Sequence, residues 1–483
     1  MIVLPKFLII YVALFATNLV HANSNPLDSE ITAIESGLTS FILVKGKAIQ
    51  KYSLEERMKH YNVPGVSIAV VKEGKLHWAK GYGVANSKTG LKVNIDTLFQ
   101  AGSISKPIAA LAVLKLVDEA KVELDKDVNI YLTGWKIKNN EFTKQEKVTL
   151  RRLLSHTAGM TVHGFPGYVN GENIPSIENV LNGKGNTPEV FVDTIPGKKW
   201  RYSGGGYTVM EKLVEDISGL ALDEYMMTHI LKPMQMNNST YAQPLHQKLW
   251  KTASAAFNNK GEQVNGDWHN YPEQAAAGLW TTPSDLAKYV IEIQNIYKGK
   301  LDGVLSQNTV NAMLSKHKGD WGLGPELREV SNKLIFQHGG KNEGFTNDMM
   351  AFAETGDGLI VMANGDGAGS LIKEIQLSFS DYYSWNTNNP KVVDLINLHS
   401  AYLETLTGTY QFTNSDSVLF EVSLDNGVLV LNNSSWKDKN TIVPLSKTQF
   451  IDMESGMEFT FQFDDKSGVS GFVVNDYYQF HRL

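Results

Sequence analysis

Phe99-Gln100-Ala101-Gly102-Ser103-Ile104-Ser105-Lys106-Pro107 runs into an apolar, alanine-rich segment that ends at Ala120. Proline is accommodated only in the first turn of a helix. A helix is therefore predicted over Pro107–Ala120, with Ser103 at its N-terminus. A spacing of three places Ser103 and Lys106 on one helical face. A lysine beside a hydroxyl can take its proton once desolvation or like charges depress the lysine pKa. Free N–H groups at a helix N-terminus also favour a developing oxyanion. The S-x-x-K spacings at Ser315…Lys318 and Ser434…Lys437 lack this setting. Taken alone, a capping serine with a surface lysine explains Ser103 and Lys106 equally well.

Working outward, Leu54–Tyr61 reads as a helix broken by Pro64-Gly65, and Asn23 to about Ser53 carries no strong signal. Val66–Val71 and Leu76–Tyr82 read as strands joined at Glu73-Gly74, a hairpin signal. Residues 121 to about 280 read as short helices among Gly, Pro and Asn turns. Thr282-Pro283-Ser284-Asp285 starts a helix, with a Thr cap and Pro at the first helical position. Leu334–His338, Asn347–Phe352 and Gly358–Asn364 read as strands. Asn386–Pro390 is a polar linker. From Leu406 onward about eight short strands are expected, with Asp425-Asn426-Gly427 as one turn and Phe459–Phe463 alternating. This pattern predicts a small antiparallel barrel, with a sandwich as the alternative.

The chain has 483 residues, 42% apolar and 20% charged, with a formal charge of -6. That is the profile of a folded chain. The acidic balance argues against nucleic-acid partners. Cysteine is absent, which excludes disulfides, thiolate metal sites and cysteine nucleophiles. No H-e-x-x-H or phosphate-cradling motif is present, so no metal and no cofactor is expected. Residues 1–22 read as a secretory signal: Lys6, an apolar core from Phe7 to Val20, and Val20-His21-Ala22 at the cleavage spacing. An uncleaved anchor is the alternative. The mature chain is expected to be exported, periplasmic or secreted, with no integral membrane segment.

Two further motifs carry chemistry. Tyr202-Ser203-Gly204 reads as part of a glycine-rich loop within Pro196–Tyr207, where a tyrosine hydroxyl can reach a serine and relay a proton to a leaving group. Core packing is the competing reading for a single tyrosine, and Tyr168-Val169-Asn170 is a rival Y-x-N. His338-Gly339-Gly340-Lys341 is read as ending a strand, where two glycines let a substrate backbone approach. His338 is a candidate to bond the substrate or assist deacylation, and a buried structural histidine is the alternative. The Lys341 N–H is a candidate second oxyanion donor beside that of Ser103.

In this order the three motifs resemble the active-site serine family of class C β-lactamases, D-alanyl-D-alanine carboxypeptidases, D-aminopeptidases and related esterases. Val63–Val71, Phe99–Ser103, Leu153-Leu154-Ser155-His156-Thr157-Ala158-Gly159, and Ala277–Thr282 with Asp285-Leu286 are similar to other family segments. The likeness covers about 40 to 380. It implies Ser103 as acylated nucleophile, Lys106 as its activator, Tyr202 as the Y-x-N tyrosine, and His338 at the first position of the K-T-G element. It implies an oxyanion hole from the N–H groups of Ser103 and Lys341, with Gly204, Gly339 and Gly340 lining the substrate. Gly204 stands where many members carry Asn, and His338 where penicillin-binding members carry Lys. The Lys341 ammonium is the candidate replacement charge. The strands from Leu406 resemble the lipocalin-like barrel appended to some members.

The expected fold is therefore α+β. A β-lactamase-like domain over 23–390, with an antiparallel sheet flanked by helices and a helical insertion, follows the 1–22 signal and precedes a barrel over 400–483. The expected activity is hydrolysis of a small-molecule or peptide ester or amide through a Ser103 acyl-enzyme, of peptidase or esterase type. The alternatives are β-lactamase activity, and a non-hydrolytic penicillin-binding or peptidoglycan-sensing protein. A barrel binding an apolar ligand is a third reading, and homo-oligomerisation is left open.

Overall fold

Glu73 and Gly74 both take positive φ, 52° and 76°, the backbone a two-residue hairpin turn requires. They join Gly65–Lys72 to Lys75–Asn86. This hairpin forms one side of a seven-stranded antiparallel sheet in the computed structural model, which describes residues 25–300, 302–433, 439–464 and 468–483. The sheet order is Leu91–Lys92, Lys75–Asn86, Gly65–Lys72, Gly358–Ala363, Phe345–Phe352, Lys333–Asn342, Glu326–Val330. The signal read at 1–22 lies outside the described residues. Among the described residues no helix is long and apolar enough to cross a membrane.

The chain leaves the sheet after Lys92 and re-enters it at Glu326. The helical portion between carries Ser105–Asp118, Gly204–Ser218 and Pro283–Tyr297. Alternation along Gly65–Lys72 splits the core. Val66, Ile68 and Val70 pack with Ile34 and Phe379 on one face. Ala69 and Val71 join Val290 and Ile293 on the other. The expected Thr282 cap is present, its side chain accepting from Asp285 N at 3.1 Å.

Three local expectations need correction. The lead-in before Ser53 is not featureless: Asn25 caps a helix over Pro26–Glu35, with Pro at its first turn. The glycines after Tyr202 are not a loop. Gly204–Ser218 is a helix whose Ser203 cap accepts from Gly206 N at 3.0 Å. A Cβ on Gly205 would sit 2.7 Å from Thr161 O, so close packing rather than flexibility places glycine there. Finally, His338–Lys341 lies within the strand Lys333–Asn342 and does not end it.

The C-terminal strands close into an antiparallel barrel of eight, from Gly408–Phe412 to Tyr478–Arg482. Asn426 and Gly427 turn with φ 48° and 82°. Tyr410, Phe420, Phe450, Phe459, Phe461, Phe472 and Phe480 fill its interior. A cavity of about 270 Å³ opens beside Phe412, Val418 and Tyr478. Ile42, Val393 and Ile451 bury a small cluster against the barrel wall, and Ser370 Oγ donates to Glu454 O at 2.9 Å.

Candidate active site

Gly102 takes φ +55°, and a Cβ there would lie 2.5 Å from Lys341 N. Only glycine serves both demands. It opens a 3₁₀ turn over Gly102–Ile104 that runs directly into the helix Ser105–Asp118. Ser103 thus precedes the helix in a tighter turn, and Lys106 and Pro107 fall in its first turn. Lys106 Nζ donates to Ser103 Oγ at 3.0 Å and to Ala276 O at 2.8 Å. Both partners are neutral, and Lys106 is 2% exposed. Burial without a compensating anion pushes its pKa down to about 7, which makes the amine a base at neutral pH.

Tyr202 leads into the helix Gly204–Ser218. Its hydroxyl meets the Ser103 side chain, which favours ionisation, yet burial dominates and pushes the phenol well above its ordinary range. The phenol therefore keeps its proton. Lys106 Nζ sits 5.0 Å from the Tyr202 ring centroid. The position after Ser203 is closed to side chains: a Cβ on Gly204 would lie 2.9 Å from Phe165 Cε2 and 3.0 Å from His163 O.

The strand Glu326–Val330 pairs with its neighbour only as far as Gln337. The edge from His338 to Lys341 is left open on that side. Gly340 lies so close to the nucleophile turn that a Cβ would reach 1.9 Å from Ala101 O. At Gly339 the nearest atom would be 3.8 Å away. His338 is buried, and its Nδ1 bonds Gly339 O at 2.5 Å. A carbonyl only accepts, so Nδ1 carries the proton and Nε2 is a bare lone pair without a partner among the described residues. Burial, then the Lys106 charge, depresses the His338 pKa to about 3. Lys341 places its backbone N beside Gly102, but its side chain is 64% exposed and runs to Asp366 at 3.8 Å. Alternation puts it on the sheet face opposite His338, so the expected replacement charge does not enter the site.

Ser103, Lys106, Tyr202, His338 and the backbone of Gly340-Lys341 are thus brought together, while Tyr168 is not. Its hydroxyl accepts from Asn186 N at 2.8 Å, on a short strand paired with His269–Asn270. Of the rival S-x-x-K spacings, Ser434…Lys437 lies outside the described residues, and Lys318 Nζ is engaged by Gly197 O at 2.8 Å. Two side chains beside Tyr202 escaped the motif reading. Trp321 packs edge-on to Tyr202 and His338, with centroids 5.8 and 5.7 Å away, and His156 stacks on Tyr202. The segment around His156 was visible as a family likeness, but nothing in the sequence marks Trp321. A cavity of about 800 Å³ elsewhere, lined by residues such as Asp96, Glu224 and His246, holds none of these groups. Chemistry, not volume, selects the site.

The Beta-lactamase family model matches residues 53–378, more than half of the chain. The chain belongs to the Beta-lactamase family. Protein flp of Staphylococcus aureus is 24% identical over 319 residues, covering 64% of this chain and 61% of that protein. This Beta-lactamase-family chain therefore spans about 61% of that curated relative's length. The teichoic acid D-alanine hydrolase of Staphylococcus aureus is 25% identical over 246 residues, 50% of this chain and 58% of that protein. The octameric penicillin-binding protein homologue from Pyrococcus abyssi has the same fold, with a TM-score of 0.61 at 23% identity over 88% of this chain and 98% of its own. SurE follows with a TM-score of 0.58 at 20% identity over 95% of this chain and all of its own. The Beta-lactamase-like body with an appended barrel is thus established.

Proposed function

We propose that this chain cleaves esters, and secondarily amides, whose scissile carbonyl has no carboxylate beside it. The observation that carries this is the neutral lining of the site. His338 is buried and uncharged where a cation would be needed, and Lys341 points away to Asp366. Lys106 is the one basic side chain bonded to Ser103 among the described residues, and in this reading its neutral amine is taken up as the base. A free carboxylate brought into such a site loses its hydration without gaining a partner. This reading favours esterase or aminopeptidase chemistry over carboxypeptidase and β-lactamase chemistry. The relative named for hydrolysing D-alanine on teichoic acid supports a D-alanyl group as one acyl part, and an exported location for the chain.

In this reading Lys106 Nζ, 3.0 Å away, takes the Ser103 proton as Oγ attacks the carbonyl. The N–H groups of Ser103 and Lys341 hold the tetrahedral oxyanion. Tyr202 delivers its retained proton to the leaving group and recovers one from Lys106. Water then attacks the acyl-enzyme, with Lys106 and Tyr202 resuming their roles and the bare Nε2 of His338 accepting from the incoming water. Trp321 supplies an apolar wall.

The test incubates the full chain and Ser103→Ala with p-nitrophenyl acetate and butyrate, a D-alanyl ester, a D-alanyl amide, a D-Ala-D-Ala peptide and a chromogenic cephalosporin. Turnover and intact mass are followed together. Ester turnover that vanishes in Ser103→Ala is expected. Preferred turnover of the D-Ala-D-Ala peptide or the cephalosporin overturns the neutral-substrate reading, and equal turnover by both proteins overturns the nucleophile.

A further inference from the structure

The backbone on either side of Tyr202 is tied to a single residue. Arg201 N donates to His156 O at 2.8 Å, and Ser203 N donates to His156 Nδ1 at 3.1 Å. Between these two bonds the imidazole stacks on the Tyr202 ring itself, centroids 4.2 Å apart and planes 30° from parallel. His156 therefore meets Tyr202 through both flanking peptides and through its ring.

The clamp is itself rigid. His156 is 2% exposed and sits at φ +56°, a region few side chains occupy without cause. Its N–H is bonded to Leu153 O at 3.3 Å. Trp321 meets its ring edge-on at 5.0 Å and Tyr207 lies 5.3 Å away. Because Nδ1 accepts from Ser203, the ring proton resides on Nε2, and a doubly protonated ring would have no lone pair left to accept. Ser203 extends the linkage: its Oγ donates to Thr161 O at 2.7 Å and accepts from Gly206 N at 3.0 Å. The start of the helix and the tyrosine are thus held by one connected set of bonds.

We propose that His156 is a positioning residue that holds the Tyr202 hydroxyl against Ser103. This rests on the reading of Tyr202 as the proton donor to the leaving group. His156 does not touch the substrate. It fixes the Tyr202 ring and the peptides on either side of it just ahead of the helix that starts at Gly204. Misplacing a reacting group by about 1 Å costs on the order of 10²-fold in rate.

The experiment compares His156→Phe, His156→Asn and Tyr202→Phe in the full chain, with p-nitrophenyl acetate as substrate. Rates are scaled to the fraction of Ser103 that acylates, read by intact mass. Phe keeps a ring but leaves the Ser203 N–H without an acceptor. Asn loses the ring, tolerates positive φ, and puts Oδ1 where Nδ1 stood. His156→Phe is expected to lower kcat about 10- to 100-fold with KM nearly unchanged, and His156→Asn to recover most of that loss. If His156→Phe does not fold, His156→Ala replaces it under the same expectation. Wild-type kcat in His156→Phe, or equal losses in the Phe and Asn variants, overturns the clamp. Wild-type kcat in Tyr202→Phe overturns instead the role of Tyr202, which separates the two failures.

Discussion

Replacing Lys106 by Met should abolish activity and yet stabilise the protein at neutral pH. The lysine is held at about 7 instead of its ordinary 10.5, by burial alone. At about 1.36 kcal/mol per pH unit of displacement, that amounts to about 4–5 kcal/mol of folding free energy lost at and below pH 7. The sign follows from proton counts. Between pH 7 and 10.5 the unfolded chain binds the lysine proton and the folded chain does not. Stability therefore rises with pH across that window, and the loss has vanished by its upper end. Methionine has similar length and no charge, so it removes this loss. It leaves the Ala276 carbonyl, 2.8 Å from Nζ, without its donor, at a cost of about 1–3 kcal/mol. The net expectation is a gain of about 2 kcal/mol at pH 7 that shrinks and reverses near pH 10. Urea titrations of both proteins at pH 6, 7, 8.5 and 10, with ester turnover alongside, measure it. A Lys106→Met variant that is less stable at pH 7 by the same amount as at pH 10 would falsify the claim that the lysine is buried at a protonation penalty.

The same lysine sets the pH–rate curve: kcat/KM for a neutral ester should climb through pH about 7 and level off above it, since the neutral amine is the base. A further inflection near pH 6.5 is not expected, because His338 stays neutral down to about 3; its appearance would refute that assignment. Lys341→Met should leave KM for acidic and neutral esters within about twofold of wild type, since an exposed ion pair with Asp366 contributes little. Gly340→Ala should lower kcat/KM at least about 10²-fold, because its Cβ would force Ala101 and the nucleophile turn away from the strand; steady-state kinetics on p-nitrophenyl acetate decide it.

Ser103 was legible because proline and lysine constrain a helix start strongly: Pro107 admits one placement, and the preceding glycine meets a positive φ. The hairpin at Glu73-Gly74 and the barrel strands were legible because period-two alternation and turn residues are local signals. The stretch Gly204-Gly205-Gly206 was not. Its composition points to a loop, and only contacts from Thr161, Val190 and Phe165, distant in sequence, explain why a helix begins there without side chains. The direction of the Lys341 side chain was readable from strand alternation once the strand continued past His338, but the two glycines suggested an ending. Trp321, and the contact of His156 with Tyr202, were hidden for a different reason. Both placements beside Tyr202 are products of tertiary packing: the family likeness around His156 does not say what its ring touches, and nothing near Trp321 marks it.

One physical cause sets all three titrating groups at the site. Burial moves Lys106 down, His338 down and Tyr202 up, so each favours its uncharged form. The ground state is then close to neutral, and charge arises only as Ser103 attacks. Backbone N–H dipoles fixed by the approach of Lys341 to Gly102 act on that transient charge in a medium of low dielectric constant, where they are strongest and need no reorganisation. A substrate that carries a permanent carboxylate beside its carbonyl would draw on the same dipoles before reaction, and so gain binding without gaining rate. An ester without that carboxylate reserves them for the transition state. Among the described residues no fixed cation stands beside His338, and on the proposed reaction this ties the choice of substrate to the same burial that makes a lysine a base.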